Sequence, residues 1–189
     1  MSNVDRPFGA RVVQAGVGSG HNARVTRYEA EGELYVGSFV KLDDGKVKRA
    51  ATNDDFVGVV VGIGYFGDQL EHDTHGRAGM FNPDNLTNKG SRKLPLGEDG
   101  YAWVVDDPNA IFEVQAGDGV TDLNSGSYID INNNDEGNDL SGRAETVLSG
   151  TTNNDLVVVN PVDREDNDSS QEHAVYLVRI NPANHIYAS

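Results

Sequence analysis

Apolar residues along this chain fall in short runs rich in Val, Ile, Phe and Tyr, and clusters of Gly, Asn, Asp and Pro separate the runs. That spacing predicts many short strands joined by turns. Leu34–Leu42 (LYVGSFVKL) reads as a strand bent or bulged at Gly37. Asp43-Asp44-Gly45 follows, and an Asp-Gly pair between strands predicts a hairpin, because both residues tolerate the positive φ of a tight turn. Lys46–Ala50 alternates as a half-buried strand does, and Phe56–Ile63 (FVGVVVGI) is continuously apolar, as a buried strand is. These three form one compact antiparallel unit.

Further strands are predicted at Tyr101–Val105, Ile111–Ala116, Tyr128–Ile131, Ala144–Leu148, Leu156–Asn160 and Ala174–Ile180. Between the first two, Asp106-Asp107-Pro108-Asn109 reads as a turn: Pro presets φ, and Asp and Asn bond back to the main chain. Between the last two, the acidic stretch around Asp163–Ser170 reads as a polar connection. No segment combines helical spacing with caps. The nearest, Asp118–Leu123, is short and contains Gly119. The fold class is therefore all-β: an antiparallel β-sandwich or barrel-like (β-tulip-like) core with an extended N-terminal arm and long loops.

Residues 1–26 lack hydrophobic periodicity and carry Arg6, Arg11, Arg24 and Pro7 among several glycines, so they read as an extended arm ordered by a partner. Residues 27–189 read as one β-rich domain, long enough to bury a sizeable core, with an insertion loop at about 64–100 that holds one short strand near Ala78–Phe81. The N-terminus has no apolar leader and no run spans a bilayer, so a soluble protein made in a cytoplasm is expected.

Charge narrows the partners. The net charge is −15; residues 1–50 carry eight Lys or Arg against six Asp or Glu, and residues 51–189 carry seven against 24. Such an acidic body repels phosphate backbones, so direct nucleic-acid binding is not expected. The mildly basic front is suited to an acidic protein surface. The chain has no cysteine, which removes disulfides, thiolate nucleophiles and thiolate metal sites.

The candidate chemistry is thin. His72 and His75 in EHDTH, with Glu71 and Asp73, have metal-ligand chemistry, and a metal-dependent hydrolase built on them is one rival reading. Their spacing is wrong for a zincin helix, and a solvated loop is preferred. Asn132, Asn134, Glu136 and Gly137 imitate a calcium loop, but its last position holds Arg143 where a Glu is needed. Gly16–Gly20 has phosphate-loop composition without the strand and helix that such a loop requires, and Ser19 is at the wrong step for a nucleophile elbow. Asp106 and Asp107 are adjacent, so a turn role is preferred to acid–base work. No catalytic residue, cofactor or metal is assigned.

Four stretches, taken in order, resemble a family of tailed-bacteriophage head decoration (cement) proteins: Asn3–Gly9 (NVDRPFG), VGSFVKL with the later GVVVG, VDDPNAIFEVQA, and VNPVDREDND before a strand. Together they cover roughly a quarter of the chain. The charged loop Asp68–Gly100 departs from the Ala/Thr-rich middle of that family. The resemblance implies a non-enzymatic structural protein on the outer capsid surface of the virion, assembled in the host cytoplasm. Its partners would be the major capsid protein and itself, as a homotrimer, and it would brace the shell against internal DNA pressure. Asn3–Gly9 would lie on the capsid or on a neighbouring subunit. Arg6, Arg11, Arg24, Arg27 and Arg164 would be the capsid-contacting charges, with Pro7 and Phe8 beside them and Phe8 as the apolar anchor. The alternative is another virion β-protein, of tail or baseplate, or a carbohydrate-binding module. A sugar platform needs exposed aromatics, and Trp103 in its apolar strand is expected to be core.

Overall fold

The structure, a computed structural model, describes residues 3–14, 23–65, 93–94, 99–132, 137–138 and 143–188. Within them the chain is all-β, built as a closed barrel packed against an open antiparallel sheet. In chain order the strands are β1 (Arg11–Gln14), β2 (Val25–Glu31), β3 (Leu34–Tyr35), β4 (Phe39–Asp43), β5 (Lys46–Arg49), β6 (Phe56–Tyr65), β7 (Lys93–Leu94), β8 (Asp99–Val105) and β9 (Ile111–Gln115). They continue with β10 (Tyr128–Ile129), β11 (Ile131–Asn132), β12 (Gly137–Asn138), β13 (Arg143–Ala144), β14 (Val147–Leu148), β15 (Leu156–Pro161) and β16 (Val175–Ile180). The helical content among the described residues is one 3-10 turn, Pro182–Asn184.

The barrel runs β2-β5-β4-β6-β8 and closes where β8 pairs with β2, from Val25↔Val105 to Glu31↔Asp99. Closure leaves no edge to aggregate on this unit. The β4–β5 hairpin turns at Asp44 and Gly45, with φ of 50° and 81°, the two positive values of the tight turn expected there. Alternation then sorts each strand's side chains. Val40, Val47, Val57, Val60, Ile63, Ala102 and Val104 fill the barrel, with Leu34 and Leu94 closing it. Phe39, Phe56, Val59 and Val105 point out of it and meet the second sheet.

Two bulges in β6, against β4 and against β8, make this double use possible. Gly58 sits in the first: a Cβ there would lie 1.9 Å from the carbonyl oxygen of Val105, so no other residue fits.

The second sheet runs β1-β9-β16-β15-β10, and every pairing in it is antiparallel. Phe112, Val114, Leu156, Val158, Tyr176, Val178 and Ile180 line its inner face. Phe39 joins the two layers, with edge-on contacts to Phe56 at 5.8 Å and Phe112 at 6.0 Å between ring centroids. Each such fully buried side chain contributes about 1.5–3 kcal/mol through burial.

Three expectations need correction. First, residues 3–14 are not an unpacked arm, because Arg11–Gln14 is the outermost strand of the second sheet and residues 3–10 are hydrogen-bonded to the body. Second, Val25–Glu31 is a full barrel strand. Its sequence VTRYEAE hides this, because two of its inward positions are the polar Thr26 and Tyr28. Third, Trp103 is not core: Ala102 and Val104 face the barrel interior, so Trp103 faces outward, half-buried against Gly62.

The expected strand over Ala144–Leu148 is two short ladders, β13 and β14, and Asp118–Leu123 is turn and loop. Of the expected insertion at 64–100, the flanks are strand: β6 runs to Tyr65, and β7 pairs with β3. The suggested strand at Ala78–Phe81 lies outside the described residues.

Candidate functional site

The N-terminal segment gathers most of the residues of interest. The Asn3 side chain donates to the carbonyls of Asp168 (2.8 Å) and Glu172 (2.9 Å) and accepts from the Asp168 amide at 2.9 Å. Gln115 holds the next turn of chain, its amide nitrogen donating to the Val4 carbonyl at 2.8 Å and its oxygen accepting from the Arg6 amide at 3.0 Å. The Ala10 amide then donates to the Gly37 carbonyl at 2.9 Å. These bonds satisfy backbone groups that a free arm would leave to water.

The segment presents Arg6 and Val4 to solvent, with Pro7 and Phe8 half-buried. Arg11 stacks its guanidinium over the Phe8 ring at 5.6 Å and pairs with Glu113 on β9. Val13 is half exposed, on the sheet edge that no described strand covers. Phe8 and Arg11 are therefore brought together, with Arg6 and Pro7 next to Phe8 in the chain.

Arg24, Arg27 and Arg164 are placed elsewhere. Arg24 binds Asp106, its Nε donating to the carboxylate at 2.7 Å and an Nη to the carbonyl at 2.8 Å, and it lies over the Tyr187 ring. Tyr28 donates to the other oxygen of Asp106 at 2.7 Å and meets the Tyr187 hydroxyl at 3.0 Å. Burial pushes the Asp106 carboxyl up, but the donors Arg24, Tyr28 and Thr26 outweigh it and hold the group below its ordinary range. Burial also raises the Tyr28 phenol, so it is a donor at neutral pH. Arg27 stacks on Tyr101 at 4.7 Å on the outer barrel wall, and Arg164 pairs with Asp166 at 3.6 Å in the β15–β16 loop.

Asp106 and Asp107 take structural roles. Asp107 closes its turn, accepting from the Asn109 amide at its carboxylate and from the Ala110 amide at its carbonyl. His185, buried beside the Asp106 cluster, accepts from the Tyr187 amide at Nδ1, and desolvation lowers its pKa so that the ring is neutral.

In the acidic loop, Asn167 is the organiser. Its amide donates to the carbonyls of Val162 and Val175 and its oxygen accepts from the Val175 amide, tying the base of the hairpin. The two donors of Ser170 hold the Asp168 carboxyl below its ordinary range.

One group with metal-ligand chemistry appears among the described residues: Asp118, Glu172 and His173, with ligand atoms within 4.8 Å of one another. Residue reading alone does not find it, since Asp118 is far from the other two in sequence. The EHDTH histidines and Gly16–Gly20 lie outside the described residues, as do Asn134 and Glu136 of the calcium-like stretch. Comparison with protein-family models, with curated proteins and with solved structures finds no match.

Proposed function

We propose that this chain is a non-enzymatic decoration protein of a tailed-bacteriophage head, binding the outer surface of the major capsid shell, as a trimer, and bracing it against the pressure of packaged DNA. One observation carries the reading: the four stretches that resemble the family, far apart in sequence, meet around the N-terminal segment. Asn3 bonds to Asp168 of the fourth stretch, the Arg6 amide to Gln115 of the third, and Gly9 lies against Gly37 of the second. Phe39 and Phe112 then join the second stretch to the third. The N-terminal segment seated on these stretches sets Arg6, Phe8, Arg11 and Val13 on or beside a strand edge that no described strand covers. An open edge accepts a strand from a partner, and Arg with an aromatic residue is the usual anchor chemistry of an interface.

The test is co-sedimentation with expanded, undecorated capsids. Deleting residues 2–26 would strip β1 and the first two residues of β2, so point variants serve better. Arg6→Glu combined with Val13→Asp is expected to weaken binding about tenfold or more while the far-ultraviolet spectrum stays unchanged. Wild-type occupancy by that variant would contradict the assignment of this face.

A second reading, a carbohydrate-binding module, gains from the outward Trp103, which has Tyr101 two residues away on the same barrel wall. Glycan-array binding that is lost in Trp103→Ala would favour it; an array without hits would count against it.

A further inference from the structure

We propose that Asp118, Glu172 and His173 form a binding site for a first-row divalent cation such as zinc, with Asp5 as the carboxylate that orients the imidazole. The site sits just beyond the end of the β9–β16 ladder. β9 and β16 pair antiparallel, with Val175 opposite Gln115, and the Ala116 amide donates to the Ala174 carbonyl at 2.7 Å. Beyond that bond both chains turn, one at Asp118–Gly119 and the other at Glu172–His173, and the ligand atoms of Asp118, Glu172 and His173 lie within 4.8 Å of one another. Two carboxylates this close are unfavourable unless something of opposite sign lies between them.

His173 supplies that context. Its Nε2 is 3.5 Å from an Asp118 carboxylate oxygen. This is long for a charged hydrogen bond, yet it fits two ligand atoms that each lie about 2.0–2.2 Å from a shared cation. A Gly119 amide fixes one oxygen of Glu172 at 2.8 Å, leaving the other for the cation.

A second observation concerns the other side of the ring. Nδ1 of His173 is shut off from solvent and makes no hydrogen bond, while an Asp5 carboxylate oxygen stands 3.7 Å away. A histidine that ligates through one nitrogen characteristically donates from the other to a carboxylate, which fixes its tautomer. Three protein ligands with one carboxylate behind the histidine, and water completing the shell, suit zinc and its neighbours better than calcium, which prefers oxygen alone. The cation would join the N-terminal segment to the loops beside β9 and β16.

The experiment is calorimetric titration of the full chain with zinc chloride, for wild type, His173→Asn, Asp118→Asn, Asp5→Asn and the double variant His72→Gln/His75→Gln. Asn is chosen at position 173 because the residue has φ of 62°, which Asn tolerates. One equivalent of zinc is expected to bind the wild type. Affinity should fall by about 100-fold or more in His173→Asn and Asp118→Asn, by roughly 10–100-fold in Asp5→Asn, and not at all in the double variant. Imidazole nitrogen resonances of the wild type give a check that needs no substitution: zinc should move those of His173. No binding by the wild type, binding that survives His173→Asn, or zinc shifts confined to other histidines would each overturn the proposal.

Discussion

Gly9 and Gly37 pack backbone against backbone: a Cβ built on Gly9 would lie 3.1 Å from the Gly37 Cα, and one built on Gly37 3.2 Å from the Gly9 Cα. Both residues have positive φ, 70° and 95°. This contact, with the bond from Ala10 to Gly37, seats the N-terminal segment on the barrel. Gly37→Val is therefore expected to cost about 1–3 kcal/mol, from the left-handed backbone alone, before any clash. Hydrogen exchange should speed up first at residues 3–14, and uniform loss across the chain would contradict the local docking.

The Asp106 cluster sets a second expectation. Asp106→Asn removes the charge that Arg24 pairs with and an acceptor that Tyr28 and Arg24 use, and about 1–3 kcal/mol of stability at pH 7 should be lost. Because the folded carboxyl titrates below its ordinary 3.8, its contribution is present above that value and fades as pH falls through the folded pKa. Urea midpoints of wild type and variant should accordingly converge in strong acid and differ at neutrality. A constant gap across that range would contradict the assignment.

His185 acts in a different window. Its folded pKa is lowered from 6.5, so the unfolded chain takes up a proton first as the solution is acidified. The stability contribution of the neutral ring is complete above about pH 6.5 and declines below it until the folded ring also protonates. His185→Gln, neutral throughout, should lose less stability than wild type between pH 7 and pH 5. Equal losses measured by urea unfolding would show that the buried ring does not titrate as described.

Most of the strands were legible because the inner layer of each is β-branched or aromatic. Phe56–Ile63 and Ile111–Ala116 could be read directly, and so could the Asp-Gly hairpin. What could not be read follows from polar groups doing structural work. β2 turns Thr26 and Tyr28 inward because Asp106 awaits them, and that partner is 78 residues from Tyr28. The N-terminal segment contributes few apolar side chains and is held instead by Asn3, Gln115 and backbone bonds, which leave no periodic trace. Trp103 departs for the opposite reason: an apolar strand in a closed barrel turns alternate side chains outward, and Trp103 is one of them. Arg6, Phe8 and Arg11 are singled out one by one from the sequence; the stacking of Arg11 on Phe8, its pairing with Glu113, and the grouping of Asp118 with Glu172 and His173 depend on contacts that only the fold supplies.

Occupancy of a capsid exterior is tested by cryo-electron microscopy of expanded shells incubated with the purified protein. The expected map has a barrel-and-sheet body, in trimers, on the outside of the shell, with the Arg6–Val13 edge toward the capsid or a neighbouring copy. Bare shells at saturating protein, or density confined to the tail or the interior, would contradict it.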